Sequence, residues 1–526
     1  MHTSFILHAT ALPFPINKEG KQLISFHSFT LAYTVINNIT GSYPKRAKKY
    51  SKHIIGFSIM GKYQNQYLEN GKITKYLFIL DRMKINSMWP LDSWLSVIMC
   101  IVNILPIINA QAVRAYPADS FVESIGVNTH WAYPNVYTHN YTALKTKLGE
   151  AGIRYIRDGA NAQTYIRAND LYQILGIQIN MLTGRRSGPY PAPLDPSQID
   201  VELNEIKTQA LNVTVSIEAP NEYDISHGPE TDWVEKIKNY SSTLYNKVKT
   251  DELLKALPVI GPSLTKVESY EAVGNSDQFI DDVNLHLYQA NRWPGNNGWG
   301  SNGYGSITWA LNYLARYQSP SGKPIQATEA GYNNDIPSGG VSEEAEGKYT
   351  SRMFAEFFRR GFTRTFKYEL VSQGQPGREG VFGLLRNDLS EKPAFRAVKN
   401  LISILSDKGP DFATDSLNYA LDLQLNDTRQ ILFQKRNGDF YLMMWLELPS
   451  WDVNTHKDLY PTAQQILLTL LNDHNITNVT LYAFGSLSDV TTKPLVMNNN
   501  QVLFDVIDRI SIVQLSNRTD SVPDVL

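Results

Sequence analysis

The sequence predicts an α/β protein: a (β/α)8 TIM barrel followed by a small C-terminal β-sandwich. Three observations carry that reading. From Asp119 onward short apolar runs alternate with helical patterns, as in successive βα units. From about Phe412 the helical periodicity stops and two-residue alternation takes over. Two carboxylates, Glu222 and Glu329, close predicted strands at the point where a βα loop would begin.

Taken in order, Ser124 to His130 reads as strand 1, Tyr141 to Ala151 as helix, and Ile153 to Asp158 as strand 2. Ala162 to Leu175 is helical and Ile177 to Leu182 is strand 3. Asp195 to Gln209 is helix, with Asp195-Pro196 as cap and first turn. Val213 to Ile217 is strand 4 and leads to Glu222, and Asp232 to Thr250 is the next helix. Leu257 to Gly261 is strand 5, with a short helix at Val267 to Val273. Val283 to Tyr288 is strand 6 and Ile307 to Gln318 is helix. Pro324 to Glu329 is strand 7, followed by an amphipathic helix from Ser342 to Arg360. Arg364 to Leu370 is strand 8, and Pro393 to Leu405 is the closing helix. The barrel so defined covers 113–405.

The sandwich is expected over 412–516. Ile431 to Arg436 and Asp439 to Trp445 flank Asn437-Gly438, the strongest short-range hairpin signal. Further strands are expected at Ile466 to Leu468, Val479 to Ala483 and Ile510 to Val513.

The start of the chain reads differently. Trp94 to Ile108 is an apolar run, preceded by Lys84 and followed by the small-x-small pattern Ala110-Gln111-Ala112. That is the layout of a secretory signal peptide over 83–112, starting at Met83 or Met88. Residues 1–82 then form a disordered or gene-model extension. The alternative is a type II anchor, which requires 94–108 to stay uncleaved; the run is short for a span and is interrupted by Asn103 and Pro106. Either way the remainder is exported. Asn-x-Ser/Thr sequons stand at Asn38, Asn140, Asn212, Asn239, Asn426, Asn475, Asn478 and Asn517. The single cysteine, Cys100, allows neither an internal disulfide nor a cysteine zinc site.

Composition excludes other classes. A net charge of −2 argues against a phosphate-binding surface, and no nucleic-acid partner is expected. The sequence carries no His-Glu-x-x-His, no calcium loop and no nucleotide fingerprint, so neither cofactor nor metal is expected. The 29 Tyr and nine Trp suit a carbohydrate ligand, although packing is their commoner use.

Two carboxylates at the C-terminal ends of different barrel strands are what glycoside hydrolysis needs. Their distance along the chain suits about three units of roughly 31 residues. Glu218 and Asp224 are rivals of Glu222 for the acid role. Aromatic residues in the long loop after strand 6, Trp293, Trp299 and Tyr304, suit sugar stacking, and His130-Trp131 after strand 1 is a second candidate wall.

Four motifs in order, Ile156-Arg157-Asp158, Asn221-Glu222, His286-x-Tyr288 and Thr328-Glu329, resemble those of clan A retaining glycoside hydrolases over residues 120–400. Families 5 and 39 are nearest in flavour, and no single family is assigned. The resemblance implies Glu329 as nucleophile and Glu222 as acid/base. It implies Tyr288 bonded to the nucleophile, Arg157 beside it, and Asn221 on the substrate 2-hydroxyl. His286 stands on the same face of its strand as Tyr288. Many such barrels place a Trp on strand 8 under the sugar; this chain offers Tyr368 and Glu369 instead. The expected function is a secreted retaining glycosidase acting on a glycoside, oligosaccharide or polysaccharide. The alternatives are a non-catalytic carbohydrate-binding barrel or a membrane-anchored adhesion protein, because the fold alone hosts many chemistries.

Overall fold

The computed structural model describes the backbone strands at 4–6, 30–34 and 55–58, and residues 111–422, 427–471 and 475–517. It divides into two compact units, Met1–Cys100 and Ile101–Leu526. In the first, Ser4–Ile6, Thr30–Thr34 and Ile55–Ser58 form an antiparallel sheet with Thr30–Thr34 in the middle. The sequence shows no sustained periodicity there. The apolar segment 94–108, Cys100 and the sequons Asn38 and Asn426 lie outside the described residues. Among the described residues no helix is long and apolar enough to cross a membrane.

The second unit holds the barrel. Its strands are β1 (Ile125–Asn128), β2 (Tyr155–Gly159), β3 (Gln178–Leu182), β4 (Thr214–Glu218), β5 (Val259–Ile260), β6 (Val283–His286), β7 (Ile325–Ala330) and β8 (Phe362–Lys367). They pair in parallel in the order β5-β4-β3-β2-β1-β8-β7-β6. A parallel bridge from Ile260 to Asp282 joins the two ends and closes the ring. One layer of these strands is polar: register pairs Asn128 with Arg157, Arg157 with Asn180, Asn180 with Ser216, and His286 with Glu329.

The helices begin and end where the local chemistry dictates. Asn161 caps Ala162–Leu175 by accepting the Thr164 N–H, and Gly176 ends it at φ 71°. Ser342 caps Glu343–Arg359 in the same way through Ala345 N–H. Strand 8 ends at Lys367, earlier than its sequence suggests, and the helix expected over Ile307 to Gln318 is broken at Tyr313.

The sandwich comprises β9 (Ser416–Leu421), β10 (Thr428–Gln434), β11 (Phe440–Leu446), β12 (Gln464–Leu470), β13 (Asn478–Phe484), β14 (Val490–Pro494), β15 (Gln501–Val506) and β16 (Ser511–Ser516). The Asn437-Gly438 turn is present. Gly438 sits at φ 90°, and Asn437 Oδ1 accepts the Asp439 N–H at 2.9 Å. Strands β9, β14 and β15 add to those expected from the sequence, and two further strands come from ahead of the barrel. Gln111–Arg114 forms the edge beside β9, and Tyr116–Pro117 forms the edge beside β10. The predicted cleavage point, Ala112-Val113, falls inside the first of these, with Ala112 opposite Asn418 and Val113 opposite Leu417.

Alternation divides the strands between two cores. Leu432, Leu442, Met444 and Val513 face the sandwich interior. Phe433, Tyr441, Met443, Trp445 and Ile512 face the barrel and join its core. The helix Glu343–Arg359 lies in this seam and is buried along most of its length. Its Arg352 donates to Leu446 O, Leu448 O and Asp508 O at 2.9, 2.8 and 3.2 Å and lies 3.6 Å from Glu447 Oε1, so sandwich carbonyls solvate a buried cation that a sandwich carboxylate neutralises.

Candidate active site

The polar layer of the barrel converges on Arg157. Its Nε and Nη2 donate to the two oxygens of Glu218 at 2.8 and 2.7 Å, a bidentate pair. Nη2 also reaches Asn221 Oδ1 at 2.6 Å, and Nη1 reaches Glu329 Oε1 at 2.8 Å. Glu218 receives further hydrogen bonds from Asn180 Nδ2 (2.6 Å) and Asn284 Nδ2 (3.0 Å), and Thr328 Oγ1 lies 3.1 Å away. It is fully buried. The rival acid Glu218 is therefore an anchor for Arg157. The other rival, Asp224, accepts the N–H groups of Thr265 and Lys266 (2.9 and 3.2 Å) and the Thr265 hydroxyl (2.8 Å), and so fixes the loop after β5.

Glu222 and Glu329 face one another above this layer. His286 Nδ1 lies 2.7 Å from Glu222 Oε1 and 3.6 Å from Glu329 Oε2. One oxygen of each carboxylate and a His286 nitrogen all lie within 4.8 Å of one another. Tyr288 donates to Glu329 Oε2 at 2.8 Å. Glu222 sits at φ 41°, a left-handed conformation unusual for a residue with a side chain. Ser263 holds it there, accepting the Glu222 N–H through O and Oγ, both at 3.1 Å. Burial would push the Glu222 carboxyl up, but the hydrogen bond and charge of His286 outweigh it and hold the carboxyl below its usual range. Burial pulls His286 down, and the Glu329 and Glu222 carboxylates raise it above its usual value. The two thus behave as one proton-sharing pair. Burial raises the Tyr288 phenol well above its usual value, so it stays a donor.

Glu222, His286 and Glu329 could by spacing share a cation. The Arg157 guanidinium on Glu329 already supplies the positive charge there and would repel a second.

The remaining predicted residues separate. Trp131 is fully buried, edge-on to Tyr137 and Tyr141 at 5.6 and 5.3 Å, and presents no face to a ligand. The exposed aromatic after β1 is Tyr133, two residues on, which the sequence reading overlooked. His130 stacks under Tyr133 at 4.5 Å. Trp293 packs on the barrel core, and Trp299 covers Gly305 with Arg292 at 4.6 Å from its ring centroid, so both serve to fold their own loop. That loop is pinned from the sandwich: Gly295 N–H donates to Glu447 Oε1 at 3.1 Å, and a Cβ at Gly295 would lie 2.6 Å from Glu447 Cγ. Tyr304 is 49% exposed. Tyr368 is half-buried, edge-on to His130 and Phe382 at 5.5 and 5.4 Å. Glu369 is fully buried and accepts from Tyr137 Oη (2.9 Å) and Gln373 Nε2 (3.0 Å), so it cannot touch a ligand. Asn180, Asn284 and Thr328 complete the site's support. For Asn180 and Asn284 the signal was present in the sequence: a polar residue between apolar ones inside a strand buried on both faces.

No protein-family model matches the chain, and no curated protein sequence matches it. Solved structures do. A family 39 glycoside hydrolase from Bacteroides cellulosilyticus matches with TM-score 0.53 at 15% identity, over 77% of this chain and 83% of that one. A monomeric beta-xylosidase from Caulobacter crescentus matches with TM-score 0.51 at 12% identity, over 77% of this chain and 98% of that one. At these identities the likeness is one of fold.

Proposed function

We propose that this chain is a retaining glycoside hydrolase, with Glu329 as nucleophile and Glu222 as acid/base. The spacing of the two carboxylates carries the reading. Retaining enzymes hold the two carboxyl groups about 5–5.5 Å apart and inverting ones about 6.5–9.5 Å; here the nearest oxygens of the pair lie within 4.8 Å, which favours the shorter carboxyl spacing. Glycoside hydrolases among the fold neighbours are consistent with it.

In the first step a Glu329 oxygen attacks the anomeric carbon. The bond to the leaving oxygen breaks, and that oxygen takes a proton through Glu222. The proton is the one shared with His286, across a 2.7 Å hydrogen bond. In the second step Glu222 takes a proton from water, the water oxygen attacks the same carbon, and Glu329 leaves. Arg157 and Tyr288, one on each oxygen, hold Glu329 in line. Asn221 Oδ1 is taken by Arg157, which leaves Nδ2 to donate to a sugar 2-hydroxyl.

Hydrolysis of a panel of aryl glycosides and polysaccharides tests the reading. Glu329→Ala should abolish turnover. Glu222→Ala should keep the first step on substrates with good leaving groups, and azide should rescue it as a glycosyl azide of retained configuration. Wild-type turnover of the natural glycoside in either variant would refute the assignment.

The reading includes export. Asn212, Asn239, Asn475 and Asn517 are exposed, as glycosylation requires. Residues 1–82 are then dispensable, and N-terminal sequencing of secreted protein should begin near Val113. Recovery of 1–82 on the mature product would overturn this.

A further inference from the structure

We infer that His130 and Tyr133 form the wall that contacts the glycone beside Glu329, with Glu369 behind them deciding which way the His130 hydrogen bond runs. The inference rests on the hydrolase reading and names the recognising groups within that site.

His130 is held on every side except one. Tyr133 stacks on its ring at 4.5 Å and 12°, and Tyr137 and Tyr368 meet it edge-on, each at 5.5 Å. Its Nε2 is enclosed, without a hydrogen-bond partner, 3.4 Å from Glu369 Oε2. Among the described residues the ring makes no side-chain hydrogen bond, and Nδ1 is the nitrogen left open. Burial pushes the ring down to about 4, so it is neutral and carries one N–H. A run of edge-on rings links it to the nucleophile: His130 meets Tyr368 at 5.5 Å, Tyr368 meets Phe382 at 5.4 Å, and Phe382 meets Tyr288, the donor to Glu329, at 5.7 Å.

The single N–H cannot serve both nitrogens. When Nε2–H points at the Glu369 carboxylate, Nδ1 accepts from a sugar hydroxyl. When Glu369 is protonated and donates to Nε2, Nδ1–H donates instead. Burial pushes Glu369 up to about 8, against hydrogen bonds from Tyr137 and Gln373, so both forms are within reach of neutral solutions. Glu369 is thus a positioning residue. Tyr133 supplies the second half of the wall. It is 45% exposed, with one ring face stacked on His130, and its exposed part would take a sugar face.

The test uses the full chain. Aryl glycosides of neutral pentoses and hexoses, with monodeoxy analogues of the best-cleaved sugar, are assayed for kcat and KM. Binding of the same compounds to Glu329→Gln, alone and combined with each wall substitution, is read by calorimetry. Deleting one hydroxyl should cost the wild type about tenfold, and His130→Ala should erase that cost at this position only. Glu369→Gln should change the cost at the same hydroxyl and at no other, through KM more than kcat. Tyr133→Ala, at an exposed ring that does not endanger folding, should weaken every sugar roughly fivefold, and Tyr133→Phe should restore it. Wild-type discrimination in His130→Ala, or wild-type affinity in Tyr133→Ala, would overturn the wall. Should His130→Ala not fold, the Tyr133 arm decides. A chain that binds the sugars but cleaves none would overturn the hydrolase reading and leave the wall to the binding arm. A chain that binds none would overturn both.

Discussion

Glu218 and Glu222 stand one turn of chain apart, yet the barrel places them in opposite surroundings. Glu218, on the floor of the site, is fully buried and receives four hydrogen bonds from Arg157, Asn180 and Asn284. Glu222, on the rim, is partly open, and its carboxylate has one side-chain partner, His286. A carboxylate with every lone pair engaged has no capacity left for a reaction. One that shares a single proton with a histidine can give that proton up. Coordination number, more than burial or position in the barrel, separates the acid that holds the site from the acid proposed to work in it.

Substitutions on the rim should show the largest effects. Glu222→Gln should lower kcat/KM by about 10²–10⁴-fold on glycosides with poor leaving groups while leaving the urea unfolding midpoint near that of the parent. The floor should answer in the opposite currency: Glu218→Gln leaves Arg157 buried with half its partner gone, and stability should fall by about 3–5 kcal/mol. Equal stability losses in the two variants would break the contrast.

Between floor and rim, Tyr288→Phe removes one charge-assisted bond to Glu329 and should cost about 1.5–3 kcal/mol of transition-state stabilisation, read as kcat/KM. The smallest effect is a shift in pH dependence. The lowered carboxyl of Glu222 adds stability that is present above its usual 4.5 and lost as pH falls through the folded value. The raised ring of His286 adds stability that is present below its usual 6.5 and lost as pH rises through the folded value. The pair is therefore fully effective between those two values. The alkaline limb of kcat/KM should lie above pH 6.5, and His286→Asn should move it down. A limb unmoved by that substitution would show that the proton belongs elsewhere.

Much of this was legible in the sequence because it is local. Strand and helix alternate at barrel spacing, and Arg157, Asn221, Glu222, His286, Tyr288 and Glu329 all lie at strand ends, where they meet. What failed to show was what depends on pairing across long separations. Gln111–Arg114 is four residues of ordinary composition, and only β9, some 300 residues later, makes it a strand. Trp131 reads as a better sugar platform than Tyr133 by size, but the turn that returns Tyr133 N–H to His130 O sends the tryptophan inward. Asn180 and Asn284 look like interruptions in apolar strands until the closed barrel aims both at Glu218.

The Glu447–Gly295 bond has a consequence for how such a chain can evolve. A tail domain that merely trails its partner can be exchanged by recombination like a cassette. This one lends a carboxylate to the loop that follows Tyr288, and its two edge strands are encoded on the far side of the barrel gene segment. A graft that replaced everything after Leu405 would inherit a loop without its anchor and a sheet without its borders. The two halves are bound to drift together, and changes at position 447 should be tolerated only alongside changes near position 295.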